Sequence, residues 1–271
     1  MRLPFPMIFL HSGRLASAAL LASLTFIAPS PALAQAPLPT PDDFVTPFSA
    51  VWITTGKLLV DVRKLNDRFS RPDLATGAVR PGFDALSNDG FIIGGGAYTP
   101  IGRVMLGGEF HYSDIGLESS PAGKTNQLTT NYFMATVGYA VWTNWKVSIT
   151  PYFGVGIGKM TLTLKNRDGG PTIPATASPT FDDVVFSPGQ QSRLIGSYYL
   201  MQPGIAVDYL VLRDTNSRVG VTLGLRLGTS ITPNRTTWQY RGRDVFGAPD
   251  AGPVGPSMRL IFGIGGFKMS R

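Results

Sequence analysis

From Asn131 to Lys159 the chain reads NYFMATVGYAVWTNWKVSITPYFGVGIGK. Every second residue is apolar through Phe133, Ala135, Val137, Tyr139 and Val141, and again through Val147, Ile149, Phe153, Val155 and Ile157. The positions between the second set are polar or glycine: Lys146, Ser148, Thr150, Gly154, Gly156 and Gly158. Period two on both sides of the polar turn Thr143-Asn144 predicts a β-hairpin with one greasy face and one polar or empty face. Each arm carries about 10 residues of alternation, the length with which a tilted strand crosses a bilayer. Tyr139, Trp142 and Trp145 cluster at the turn, where a membrane barrel places interfacial aromatics.

The same reading extends along the chain. Strand one is expected over Ala50 to Arg63, with Trp52, Thr54, Leu58, Val60 and Val62 alternating with Lys57, Asp61 and Arg63, although an amphipathic helix fits these residues nearly as well. A polar loop from Asn66 to Asn88 leads to strand two, Phe91 to Thr99. The turn Pro100-Ile101-Gly102 leads to strand three, Arg103 to Ser113, where Val104, Leu106, Phe110 and Tyr112 share one face and Arg103, Glu109, His111 and Ser113 the other. Gly116 to Asn126 reads as a polar loop and Asn166 to about Arg193 as a long one. Strand six spans Ile195 to Tyr209, with Tyr199, Met201, Ile205, Val207 and Tyr209 on one face and an expected bulge or strained edge at Pro203, which cannot donate to a ladder. Strand seven follows the turn Arg213 to Ser217 and alternates Val219, Val221, Leu223, Leu225 and Leu227 with glycines, Thr222 and Arg226. After a loop over Pro233 to Pro256, strand eight places Met258, Leu260, Phe262 and Ile264 opposite Arg259, Gly263 and Gly265.

An even strand number with connections alternating long and short, and an apolar face pointing away from a polar one, predicts an all-β fold. The specific expectation is an eight-stranded antiparallel up-and-down transmembrane β-barrel over residues 50–271, because hydrocarbon cannot satisfy an open sheet edge.

Composition places this barrel. Arg2 and Arg14, with no acid beside them, precede an apolar run from Leu15 to Ile27 that is followed by Pro-Ala-Leu-Ala-Gln, so residues 1–34 read as a cleaved secretory signal peptide with Ala32 and Ala34 at the small-x-small site. Residues 35–49, with Pro37, Pro39, Pro41 and Pro47, read as a periplasmic lead-in. There is no cysteine, which excludes disulfides and thiolate metal sites in an exported chain. The net charge of +7 is scattered singly, and with export it argues against nucleic acid as a partner.

At Gly94-Gly95-Gly96-Ala97-Tyr98 and at Pro151-Tyr152-Phe153-Gly154-Val155-Gly156-Ile157-Gly158 the sequence resembles the small outer-membrane β-barrel superfamily, the OmpA-like and OmpX-like eight-stranded barrels. The resemblance covers roughly Ala50 to Phe267. It implies a Gram-negative outer membrane, contact with outer-membrane lipid and lipopolysaccharide, and assembly by the barrel-insertion machinery. Such barrels usually end on an aromatic residue, whereas Phe267 is followed here by Lys268-Met269-Ser270-Arg271, so Phe267 would serve from an internal position. No peptidoglycan-binding domain is expected after strand eight.

By parity Glu109, Lys146, Arg226 and Arg259 face the lumen, where eight strands leave room for little beyond side chains. An ion pair of Glu109 with Arg226 or Arg259 is expected. His111-Tyr112-Ser113 resembles the H-x-S motif of the outer-membrane lipid A 3-O-deacylases, which are also eight-stranded barrels. That resemblance implies Ser113 as nucleophile and His111 as base, with Glu109 or Glu118 as the available orienting acid. It departs from the family in lying on strand three and in having Asp114 where the family has Asn. Gly154 to Lys159 lacks the spacing and the Ser or Thr of a phosphate loop. Asp168, Asp182 and Asp183 lack the regular spacing of a calcium loop and read as solvated loop acids. Trp238, Tyr240 and Phe246, interleaved with Arg235, Arg241 and Arg243, suit phosphates, a glycan or a protein, or pack the loop on itself. The expectation is a structural or surface-interaction barrel acting through its long loops, with no catalytic, cofactor or metal residues. The alternatives are an esterase using Ser113 and His111, or a narrow solute channel.

Overall fold

The computed structural model describes residues 49–71, 82–120, 123–144, 146–169, 173, 179–214, 219–233 and 236–266. The expected signal peptide, the expected lead-in up to residue 48, Trp145, Arg235 and Phe267 lie outside the described residues. In chain order the elements are β1 (Ser49–Asp61), α1 (Arg63–Ser70), β2 (Asp89–Ile101), β3 (Val104–Ser119), β4 (Lys124–Tyr139), β5 (Trp142–Thr143), β6 (Val147–Asn166), α2 (Phe181–Phe186), β7 (Gln191–Asp214), β8 (Val219–Ser230), β9 (Thr237–Tyr240), β10 (Arg243–Asp244) and β11 (Gly252–Gly266). Strands β1, β2, β3, β4, β6, β7, β8 and β11 pair antiparallel with their neighbours in sequence order, and β11 returns to pair with β1. The eight-stranded up-and-down barrel is therefore closed, and no sheet edge remains among these eight strands.

Alternation organises the barrel in two zones. In the half nearer the short turns, apolar side chains point outward: Phe110 is 52% exposed, Phe133 53%, Ile157 61% and Tyr199 60%. Their neighbours on the strands point into the lumen as glycines, polar or charged residues and a few large side chains such as Tyr132, Met134 and Tyr198. On β6 the outward apolar set runs from Val147 to Ile157, roughly 33 Å along the strand and about 25 Å in height at a barrel tilt near 40°, the height of a lipid-facing band. A band of that size would be strongly unfavourable in water and is matched to hydrocarbon.

Beyond Lys159 the phase inverts while the strand continues. Met160, Leu162 and Leu164 are fully buried inside the barrel, and Lys159, Thr161, Thr163 and Lys165 point outward. On the other strands the same shift puts Leu58, Val60, Ile92, Ile115, Leu128, Leu194 and Leu200 inside. At this end the barrel holds a water-soluble type of core, apolar within and polar without, filled by the connecting segments.

Several expected boundaries move for that reason. The Gly116–Asn126 loop is largely strand: β3 and β4 run on to Ser119 and from Lys124, leaving a connection of residues 120–123. Strand one ends at Asp61, so the helical alternative for these residues is not adopted, and α1 instead occupies the start of the segment expected as the Asn66–Asn88 loop. Trp52, Thr54, Leu58 and Val60 face inward, not toward lipid. The Asn166–Arg193 loop contains α2, and the Pro233–Pro256 loop contains the hairpin β9–β10. This hairpin turns on Arg241 and Gly242, both at positive φ (52° and 78°) as a two-residue type I′ turn requires. It pairs with Leu194–Ser197 of β7, beyond the end of the β8 ladder. The turn expected at Thr143-Asn144 is shifted: Thr143 belongs to β5, and Asn144 Oδ1 accepts from the backbone N–H of Lys146 (2.8 Å) and Val147 (2.7 Å). Pro203 causes no bulge. Its ladder with β6 runs straight through at Phe153. On the β8 side pairing stops at Gly204–Gly228 and resumes in the same register at Met201–Ile231, so the missing N–H removes a rung without a shift. The bulge on β7 lies instead between Leu210 and Leu212.

Candidate functional site: a sealed lumen under a folded cap

Charged residues from four strands meet at mid-lumen in two layers. Arg259 on β11 is 1% exposed. Its Nη1 pairs with Glu109 Oε2 on β3 and lies 2.6 Å from His111 Nε2, which is itself 2.8 Å from the same carboxylate oxygen. Its Nη2 donates to Gln202 Oε1 at 2.9 Å and to the Tyr152 hydroxyl at 3.2 Å. Gln202 passes the network on, donating to Ser257 Oγ (2.9 Å) and Ser230 Oγ (3.1 Å). A second layer toward the short turns pairs Arg226 with Asp208 through two hydrogen bonds of 2.7 and 3.0 Å, with the Tyr98 hydroxyl donating to the same carboxylate. The Arg226 guanidinium stands 6.0 Å from the Trp52 and Tyr98 ring centres. Two buried cations are thus matched by two buried carboxylates, the arrangement a low-dielectric interior requires. A cavity of about 30 Å³ remains beside Glu109, Tyr152 and Arg226, room for about one water.

Of the two expected partners for Glu109, Arg259 makes the bond, while Arg226 goes to Asp208. Sequence reasoning missed Asp208, although it is the only acid within the alternating stretch Tyr199–Tyr209 and shares a face with Gln202. Lys146 lies in the turn before β6 and belongs to neither layer.

His111 and Ser113 are both fully buried on the lumen face of β3. Ser113 Oγ and His111 Nδ1 have no hydrogen-bond partner, and His111 Nε2 is committed to Glu109 and Arg259. The nucleophile–base hydrogen bond implied by the deacylase resemblance is not formed. Outward on this strand stand Phe110 and Tyr112, so neither Ser113 nor His111 faces the band where an acyl chain would lie.

Above this layer the lumen is filled with hydrocarbon. Leu65 and Phe69, one turn apart on α1, enter the barrel mouth, and Phe69 packs on Phe83 at 5.8 Å. A helix of eight residues is marginal alone, so α1 is held by this burial and by Asn66, whose side-chain amide clasps both the N–H and the C=O of Leu86 (2.8 and 2.9 Å). Phe181, Val184 and Val185 of α2 complete the plug. Asp183 forms a capping box with Thr180, and Asp182 accepts from Arg68 of α1 at 2.9 and 3.2 Å. These acids tie the cap together while staying open to solvent, as expected for loop acids. Asp168 remains exposed in a turn, and among the described residues no group of His, Asp or Glu is arranged to hold a metal.

Trp238 and Tyr240 also belong to the core, 1% and 4% exposed, and Trp238 Nε1 donates to Pro249 O at 2.9 Å. Of that loop, Phe246, Arg241 and Arg243 are presented to the outside. A polar cleft of about 440 Å³ opens on the cap between α1 and the segment before β11, lined by Lys64, Arg68, Arg71 and Asp250 among others.

No protein-family model and no curated protein matches the sequence. Similar solved structures include Neisserial surface protein A, at 12% identity over 81% of this chain and 97% of that one with a TM-score of 0.37. A major outer membrane protein from Thermus thermophilus matches at 10% identity over 80% and 98% with a TM-score of 0.38. Ail, the attachment invasion locus protein of Yersinia pestis, matches at 13% identity over 81% and 98% with a TM-score of 0.35. These similarities are loose, and the barrel rests on this chain's own strand pairing.

Proposed function

We propose that the chain is exported and inserted into the outer membrane of a Gram-negative cell as a sealed barrel. Its folded cap stands outside and acts as a surface-interaction module. The observation that carries this reading is the inversion of hydrophobic phase along continuous strands: apolar outward in a band of bilayer height, then apolar inward around a compact plug. A barrel serving only as a membrane rivet has no need of a second core, whereas a binding surface needs rigid support. The cleft lined by Lys64, Arg68, Arg71 and Asp250 and the exposed Phe246 are the features such a surface offers a partner.

Because the chain has no cysteine, single cysteines report topology cleanly. In intact cells, Phe246→Cys on the cap is expected to react with a membrane-impermeant maleimide. Thr143→Cys at the short-turn end should react only after lysis, and both proteins should run as a fast-migrating band in SDS until boiled. Equal labelling of the two in intact cells would reject the orientation. Migration unaffected by boiling would reject the membrane barrel.

A further inference from the structure

The wall formed by β4, β6 and β7 changes character in one rung. Phe133, Ile157 and Tyr199 are register partners, all outward and apolar. The next outward rung is Asn131, Lys159 and Ser197. From there outward the wall carries Thr, Gln and Asn, a single Ile195, and two more cations, Arg193 (opposite Thr163) and Lys165 (opposite Gln191). Among the described residues Lys159, Lys165 and Arg193 make no ion pair, and the outward positions of these three strands beyond the boundary hold no Asp or Glu. Asp114, across the β3 edge, accepts from Gln127 at 3.1 Å and from the Gly116 N–H, and Asp168, three residues beyond Lys165, lies in the turn past the strand end.

The spacing limits what can satisfy these cations. Lys159 is at the boundary, while Lys165, six residues on, is about 20 Å further along the strand and about 15 Å higher at the barrel tilt. Arg193 and Lys165 lie on adjacent strands one rung apart, about 8 Å between Cα atoms. A phospholipid phosphate stays at the boundary and reaches Lys159 alone. A headgroup that meets all three cations must carry anionic groups from the acyl boundary outward along a saccharide. Resting on the membrane placement proposed above, we propose that this wall is a binding site for the anionic core oligosaccharide of an outer-leaflet glycolipid. Lys159 takes the membrane-proximal phosphate, and Arg193 with Lys165 takes acidic or phosphorylated core sugars, with the Thr, Gln and Asn side chains between them as hydroxyl partners.

The test uses the full chain in detergent micelles, with bound lipid read by native mass spectrometry at fixed ionic strength. Three probes are compared: a rough-type lipopolysaccharide that keeps its anionic inner core, diphosphoryl lipid A that lacks it, and phosphatidylglycerol. The core-bearing glycolipid should bind best. The exposed double variant Lys165→Gln/Arg193→Gln should lose on the order of 30-fold for it while leaving lipid A unchanged, and Lys159→Gln should lose about fivefold for both. Arg63→Gln, on the cap, should change none of them. Binding of the core-bearing glycolipid no tighter than that of lipid A, or a double variant indistinguishable from wild type, would overturn the site. Heat-modifiable migration in the same samples separates this failure from that of the membrane barrel: its presence with no core preference rejects the site alone, and its absence rejects the placement beneath it.

Discussion

Arg259 keeps its charge in a lumen without bulk water because every terminal contact it makes is polar: Glu109, His111, Gln202 and Tyr152. Burying the pair is not in itself stabilising, but leaving one member without the other is costly. Glu109→Ala is therefore expected to lower barrel stability by about 3–5 kcal/mol, whereas Glu109→Ala combined with Arg259→Met should recover part of that loss. Urea midpoints of the heat-modifiable band in micelles would check both, and a double variant as unstable as the sum of the single changes would contradict the pairing. Gly158 shows the steric side of the same interior. A Cβ there would lie 2.2 Å from Cζ of Tyr198, which lies over β6 so that its hydroxyl bonds Thr130 Oγ1 of β4 at 2.6 Å. The alternation of glycines that marks the lumen face in the sequence thus reflects large side chains lying over them, a relation invisible until the opposing strand is known.

At the scale of elements, the lipid-facing half of each strand was legible because one environment, hydrocarbon outside and a polar lumen inside, holds over five or six consecutive rungs. The loop-end halves were read as loops because the environment there is reversed. A search for one continuous phase ends at Lys159, although MTLTLK immediately beyond it alternates just as regularly with the opposite parity. Helix α1 was missed for another reason: it is short and lacks a side-chain N-cap bond, so little in its sequence announces it before its partners Phe83 and Leu86 are in place. The lumen network was half legible, since parity pointed to Glu109, Arg226 and Arg259, but which cation meets which acid depends on strand stagger. If the cap is held by α1 packing, Phe69→Asp should free it without unfolding the barrel, because Phe69 lies beyond the lipid band. Trypsin should then cut within α1, at Arg63, Lys64 or Arg68, at least about tenfold faster, given that burying a Phe contributes about 1.5–3 kcal/mol. The band that survives should still be heat-modifiable.

For the whole molecule, the two zones act as seals in series. The mid-lumen layer blocks the bore with paired charges and hydrogen-bonded side chains, and the cap blocks its mouth with closely packed hydrocarbon. An eight-stranded barrel has an interior just wide enough for its own side chains, so each seal is sufficient while the other is absent. Wild-type protein in planar bilayers is therefore expected to show no discrete conductance steps. Phe69→Asp, which frees the cap, should remain silent because Arg259, Glu109, Gln202 and Tyr152 still span the bore. Glu109→Ala/Arg259→Ala, which thins the charged layer, should remain silent because the plug of α1 and α2 is untouched. Only the combination, with the second layer also opened by Asp208→Ala/Arg226→Ala, should give resolvable steps. Conductance from the cap variant alone would show that the polar layer is a water-filled path, and the barrel would then have to be read as a gated channel whose gate is α1.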